Sequence, residues 1–314
     1  MASQGFWFQL RYSLSGSGSK GTAMFHLLRM GARLLVFLLI VAVGFAVYLM
    51  KRTGSEHYRE SFEASLKEGL TASEIELGGF SRTQGQMIIS SLALQGGDDT
   101  FYSALEARNV RFRMGLLDGI GAIGGEWDTG VIEMSRLDMD LRAGADDAES
   151  SKNLAESLFR KYSNLQVNGM EIADASIRWG YSERTKGSIT NSSVQVQRLD
   201  NRLRLHFRGG YFSQNWFRKL EIVNLVVNCD TDGFVFEKAE LKKGTGTVNF
   251  TGLKVIGGER PLVEGTLKMR NLNLEGLLPL AQRSFVEGTI SGEFQVSGST
   301  NTTEGVGFAG QVML

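Results

Sequence analysis

Alternation of apolar and polar side chains with a period of two limits what this chain can become more than any other feature. Leu203, Leu205 and Phe207 alternate with Arg202, Arg204, His206 and Arg208. Leu137, Met139 and Leu141 alternate with Asp138, Asp140 and Arg142. Leu105, Ala107, Val110, Phe112 and Met114 continue the theme, with a face switch at Arg108–Asn109 that predicts a bulge. Further on, Val286, Ile290, Phe294 and Val296 share a face with Gly288 and Gly292, and Val306, Phe308, Gly310, Val312 and Leu314 repeat the pattern. Successive side chains of a strand point to opposite faces, so these runs predict a sheet with one wet and one apolar face. Asp200–Asn201, Asp232–Gly233 and Gly257–Gly258 sit between runs, where hairpin turns belong. The expected fold is mainly β: a largely antiparallel sheet that either curls on itself or keeps its inner face partly open as an apolar groove, with a few short helices and a single N-terminal transmembrane helix.

That helix is expected from Leu34 to Met50, a charge-free run bounded by Arg33 and by Lys51–Arg52. One charge at the bilayer centre costs at least about 2.5 kcal/mol, so hydrocarbon selects a run of this kind. It has no polar face, unlike a core helix, and no small-residue cleavage site, unlike a signal peptide. Leu34, Leu38, Val41, Phe45 and Leu49 are the expected anchor residues. Basic residues flank both ends equally, and the commoner arrangement places the N-terminus inside with the bulk of the chain translocated. Residues 1–32 read as a flexible basic leader, 33–52 as the anchor and 53–72 as an amphipathic connector, in which Tyr58, Phe62, Leu66 and Leu70 fall four apart on one helix face. Residues 73–314 form the expected β domain, with a helical insertion near 147–162 and a brief helix near 274–283.

Composition excludes several classes. Basic and acidic side chains balance at 34 each, which gives no clustered positive charge for nucleic acid. Glycine (39 residues) far outnumbers proline (2), fitting turns and bulges rather than collagen or proline-rich linkers. One cysteine, Cys229, forms no internal disulfide, and His26, His57 and His206 are too scattered for a metal centre. No cofactor is expected. Gly119, Gly121 and Gly124 match a dinucleotide fingerprint by letter, but Gly125–Gly130 does not open a helix, so a loop is the better reading. Ser15–Thr22 lacks the Gly-Lys-Ser/Thr of a phosphate loop. Asp138 and Asp140 read as solvated carboxylates, and Arg202, Arg204 and Arg208 as a solvated strip that can also meet lipid head groups. Asn191, Asn249 and Asn301 head glycosylation sequons, which carry meaning only in a eukaryotic secretory setting. Trp179, Trp216 and Phe217 read as packing residues.

Long one-sided strands need a second sheet, a helix or a ligand over the apolar face, and the expected helices are few. An uncovered apolar surface marks a binding site. Leu203, Leu205, Phe207, Ile290, Phe294, Val296 and Phe308 are the candidate groove-lining residues.

Several segments together carry a family resemblance. These are the short anchor, Leu105–Arg111, Gly130–Glu133 leading into the Leu137 strand, Leu165–Gly169 with Ala175–Trp179, and Val286–Gly292 with Val296–Ser299. Over roughly residues 70–314 the pattern resembles the AsmA-like family of TamB- and YhdP-related envelope proteins. The resemblance implies an elongated, curved, taco-shaped β-sheet groove whose hydrophobic inside carries the acyl chains of phospholipid or a related lipid between membranes, without catalysis, in outer-membrane biogenesis or lipid homeostasis. It also implies a single-pass location in the inner membrane, with the C-terminal domain in the periplasm. Expected partners are the bilayer, phospholipid acyl chains and, through the C-terminal strand, the β edge of another chain. The alternative is a structural or adhesive β-module that binds protein or polysaccharide.

Overall fold

The computed structural model describes residues 38–45, 48, 56–83, 85–97, 100–113, 127–141, 165–179, 187–200, 202–214, 217–230, 233–256, 262–273, 288–298 and 306–313. The chain divides into two units, Met1–Ser55 and Glu56–Leu314. In the first, residues 38–45 are helical (α1) and every one of them is exposed, Leu38, Val41 and Phe45 included. Among the described residues no helix is long and apolar enough to cross a membrane. Leu34 and Leu49 lie outside the described residues, as do the helical stretches expected near 147–162 and 274–283.

The second unit is mainly β. It opens with helix α2 (Glu56–Gly69), whose apolar stripe is buried: Tyr58, Phe62 and Leu66 are each less than one-tenth exposed. Strands follow as β1 (Ala72–Thr83), β2 (Gln86–Gly96), β3 (Tyr102–Arg113), β4 (Trp127–Leu141), β5 (Leu165–Trp179), β6 (Gly187–Leu199) and β7 (Arg202–Arg208). Then come β8 (Tyr211–Gln214), β9 (Phe217–Asp230), β10 (Gly233–Lys243), β11 (Gly246–Ile256), β12 (Leu262–Asn273), β13 (Thr289–Gly298) and β14 (Val306–Met313). Among the described residues these fourteen strands form one sheet in chain order, with β7 and β8 as two halves of one position between β6 and β9. Neighbours pair antiparallel, except β4 with β5, which run parallel. A parallel step needs a crossover of a dozen or more residues. The stretch from 142 to 164 supplies that length.

The apolar face holds one core cluster that runs from α2 through to β13. Helix α2 covers its first strands: Phe62 lies 5.4 Å from Phe80 and 5.6 Å from Phe112, ring centre to ring centre, and Tyr58 lies 6.3 Å from Phe80.

A row of face switches crosses the sheet. In a regular strand, residues three apart face opposite sides. Here Ile89 and Leu92, Ala107 and Val110, Ile172 and Ala175, Ile189 and Ser192, Ile222 and Leu225, and Met269 and Leu272 are buried pairwise at that spacing. Each pair therefore marks a switch of faces: the register shifts there between β5 and β6, β11 and β12, and β12 and β13, whereas β1 to β4 stay in unbroken register across it. Positive φ marks three of these switches, at Asn109 (49°), Asn191 (54°) and Asn271 (48°), and recurs at Gly79 (59°) in β1 and Gly252 (61°) in β11. Asparagine and glycine are the residues that tolerate this region. At Arg108–Asn109 the face switch is present, but β3 keeps unbroken register with β2 and β4 there, so the expected bulge, an extra residue against the partner strand, is not formed. Register shifts bend their strands and raise the local twist, so an aligned row creases the sheet. Between β7 and β8 the crease becomes a break at Gly209–Gly210, both with positive φ, bridged by backbone bonds from Gly209 N to Ile222 O and from Ile222 N to Gly210 O, each 3.0 Å.

Candidate functional site

Two surfaces of the β unit bear on function, one on each face of the sheet. On the apolar face, β9–β12 are closed on the side of the β10–β11 turn: Leu220, Val248, Leu267 and Leu272 are 0% exposed, and Ile222 and Leu241 2%. On the opposite side, toward the β6–β7 and β9–β10 turns, closure is incomplete. Val196, Leu203, Leu205, Phe234, Phe236 and Val255 are only partly buried against the core. Strand register explains why they act together. Val196, Leu205, Val227 and Phe236 are successive cross-strand partners from β6 to β10, and Leu203, Cys229, Phe234, Val255 and Val263 form the next row, from β7 to β12. Two adjacent apolar rows thus cross the sheet at right angles to its strands, with the buried Val227 and Cys229 of β9 as their middle.

The expected lining residues divide accordingly. Leu203 and Leu205 belong to the partly open rows, and Ile290 is half-buried against the core. Phe207, Phe294 and Val296 are buried within the core at 4%, 8% and 4% exposure. Phe308 stands opposite Val296 in the β13–β14 register, and its side chain lies outside the described residues. The aromatic residues Phe234 and Phe236 join the open rows without having been singled out from sequence. Alternation within β10 (Phe234 and Phe236 against Val235 and Glu237) was the signal that could have found them.

Burial in the second row holds the Cys229 thiol far up, to about 12, because removal from water disfavours the thiolate and the neighbouring Asp230 charge adds to the effect. Cys229 is accordingly a packing residue, not a nucleophile.

The wet face is laced with ion pairs. Arg136 Nε meets Asp138 at 2.7 Å and Arg178 Nε meets Asp140 at 2.5 Å, so neither aspartate stands as a bare carboxylate. Hydrogen bonding to those carboxylates raises the pKa of both guanidinium groups. Arg204 pairs with Glu237 at 2.9 Å and Lys268 with Glu293 at 2.9 Å. His206 Nε2 lies 2.8 Å from Asn224 Oδ1 and receives Arg208 Nε at 3.1 Å. Among the described residues no three metal-ligating side chains gather. Trp179 donates to Gln214 Oε1 at 2.7 Å and leans on Phe212, Phe217 is buried, and Trp216 lies outside the described residues. The Gly119–Gly124 and Ser15–Thr22 segments also lie outside them.

Along the crease on this face runs a polar cleft of about 540 Å³, crossing β3 to β7. Its floor is made of small side chains at the face switches, Ser135, Ala173 and Ser193, beside Asn109. Asn109 Nδ2 donates to Ser135 Oγ at 3.0 Å, and Ser135 Oγ donates to the Arg108 carbonyl at 3.0 Å, which fixes the switch. One wall is a registered row: Arg111, Glu133, Glu171, Gln195 and His206, each the cross-strand partner of the next.

No protein-family model, curated protein or solved structure matches the chain.

Proposed function

We propose that this protein is a non-enzymatic, membrane-anchored envelope protein that holds lipid acyl chains against the partly open apolar rows of its curved sheet. The observation that carries this reading is the pair of registered rows built around Leu205–Phe236 and Leu203–Phe234, apolar throughout and left incompletely covered by the chain itself. Each methylene laid on such a surface gains about 0.8 kcal/mol, so a chain of ordinary lipid length binds without any specific polar group. The anchor is the charge-free run around α1: its described side chains are apolar and exposed, the state that a bilayer rather than water favours. In this reading the anchor crosses the inner membrane once, and the β unit stands in the periplasm, serving outer-membrane biogenesis or lipid homeostasis. Strand β14, at the end of the sheet, pairs with β13 and offers its other edge to a strand of a partner chain.

Mass spectrometry of lipid that co-purifies with the full chain tests the proposal. Phospholipid retained through a detergent wash, and lost when Leu205 and Phe236 are both changed to Glu, supports it. A wild-type protein that carries no lipid overturns it.

A further inference from the structure

The polar cleft lies on the opposite face of the sheet from the proposed lipid surface, and its charges are arranged differently from those around it. Elsewhere on this face, acids and bases on neighbouring strands neutralise one another, as in Arg178–Asp140, Lys254–Glu264 and Lys268–Glu293. In the cleft they do not. Glu133 and Glu171 are direct partners on the parallel strands β4 and β5, about 4.8 Å apart by strand spacing. Like charges placed directly opposite are destabilising. Yet Arg111, the cross-strand partner of Glu133, makes no ion pair with it, and neither side chain hydrogen-bonds to another described residue. Glu171 receives only Gln195 Nε2, at 3.5 Å. Beside the floor, Asp174 keeps Oδ1 buried without a hydrogen-bond partner among the described residues. At the far end Arg208 spends its Nε on His206, a bond that fixes its guanidinium and leaves the two terminal nitrogens for an anion.

We infer that this cleft binds a short extended peptide by its free termini: the α-ammonium between Glu133 and Glu171, the α-carboxylate on Arg208. Strand spacing sets the length. From midway between β4 and β5 to β7 is two and a half strand intervals, about 12 Å, and Arg208 lies two residues along β7 from the row of the glutamates, so the diagonal is about 14 Å; at about 3.4 Å per residue, four residues span it, or three with the reach of the arginine side chain. Ser193 and Gln195 lie between the two ends and offer donors and acceptors to the peptide backbone. The lining balances two arginines against two glutamates, which suits a zwitterion and disfavours a polyanion or a simple cation.

Calorimetric titration of the full chain in detergent tests the site with trialanine, N-acetyl-trialanine, trialanine amide and phosphoethanolamine. Saturable binding of trialanine, weakened at least about tenfold by either terminal cap and by the double variant E133Q/E171Q, supports the inference. Those two substitutions relieve a like-charge contact, so the variant keeps its fold, which circular dichroism verifies; R208M is the independent second variant and should lose trialanine binding while leaving co-purified lipid unchanged. Trialanine amide binding as tightly as trialanine, phosphoethanolamine binding more tightly than the peptide, or full trialanine affinity in E133Q/E171Q would each overturn it. Lipid retention and peptide binding are read separately, so failure of one leaves the other standing.

Discussion

Phe62 of α2 stacks on Phe112 of β3, with ring centres 5.6 Å apart and planes 16° from parallel. The contact joins the first helix of the β unit to its third strand and closes the apolar face over β1–β3, where Met87, Ile89 and Val110 are also buried. Closure at this end by a helix, and partial closure farther along by the sheet alone, is what leaves an apolar surface at β6–β11 and not at β1–β3.

Phe62→Ala should therefore destabilise the β unit by about 3–5 kcal/mol, the usual cost of emptying a buried aromatic site. Urea denaturation followed by circular dichroism measures it. A loss below about 1 kcal/mol would mean that α2 is not part of the core.

The crease depends on residues that accept positive φ. Asn109→Val puts a β-branched side chain at φ 49° and removes the bond to Ser135, so a loss of about 1–3 kcal/mol is expected, whereas Asn109→Gly keeps the backbone and loses less. Thermal melting of the two variants side by side decides the matter; equal losses would show that the hydrogen bond, not the backbone, is what holds the face switch.

Gly210 and Gly85 separate two kinds of glycine. Both have positive φ, 72° and 80°, but a Cβ on Gly210 would sit 2.3 Å from the Thr190 carbonyl oxygen, while one on Gly85 meets nothing within 4 Å. Gly85→Ala should cost about 1–2 kcal/mol from backbone strain alone, and Gly210→Ala clearly more. Parallel denaturation curves with Gly210→Ala no worse than Gly85→Ala would contradict the close packing of the β7–β8 break on β6.

Cys229 gives a pH dependence with a definite sign. Its thiol titrates at about 12 in the folded chain against 9.0 ordinarily, so the unfolded chain loses the proton first. The stabilisation is complete below about pH 9 and declines as pH rises from there toward 12. Cys229→Ala should flatten that decline. At pH 8 the native thiol should resist an aromatic disulfide reagent and react on addition of denaturant; rapid reaction in the native state would place Cys229 at the surface.

Much of this fold is legible residue by residue. Leu203–Leu205–Phe207 and Leu137–Met139–Leu141 announce their strands, Tyr58–Phe62–Leu66 announces the buried stripe of α2, and Arg108–Asn109 announces its face switch, because each is a pattern confined to a few neighbours. The other face switches are not legible in this way, since Ile172–Ala175 or Ile222–Leu225 read alone is merely an imperfect alternation. Their meaning comes from alignment across strands, which no single strand encodes. The parallel step from β4 to β5 has no local signature, because it is decided by where a distant strand docks. The cleft is hidden for the same reason: Arg111, Glu133, Glu171, Gln195 and His206 become one row only after five strands have found their register. Depth of burial was the other unreadable quantity. Phe207 and Leu205 are equivalent in the alternation, yet one is 4% exposed and the other half-buried.

The most direct test of lipid holding is site-specific photo-cross-linking in the native membrane, with a diazirine amino acid placed in turn at Leu205, at Phe236 and at Val223, which is 48% exposed on the wet face. A protein that carries acyl chains on its apolar rows should give phospholipid adducts at positions 205 and 236 and none at 223. Adducts absent from 205 and 236, or equally abundant at 223, would contradict it.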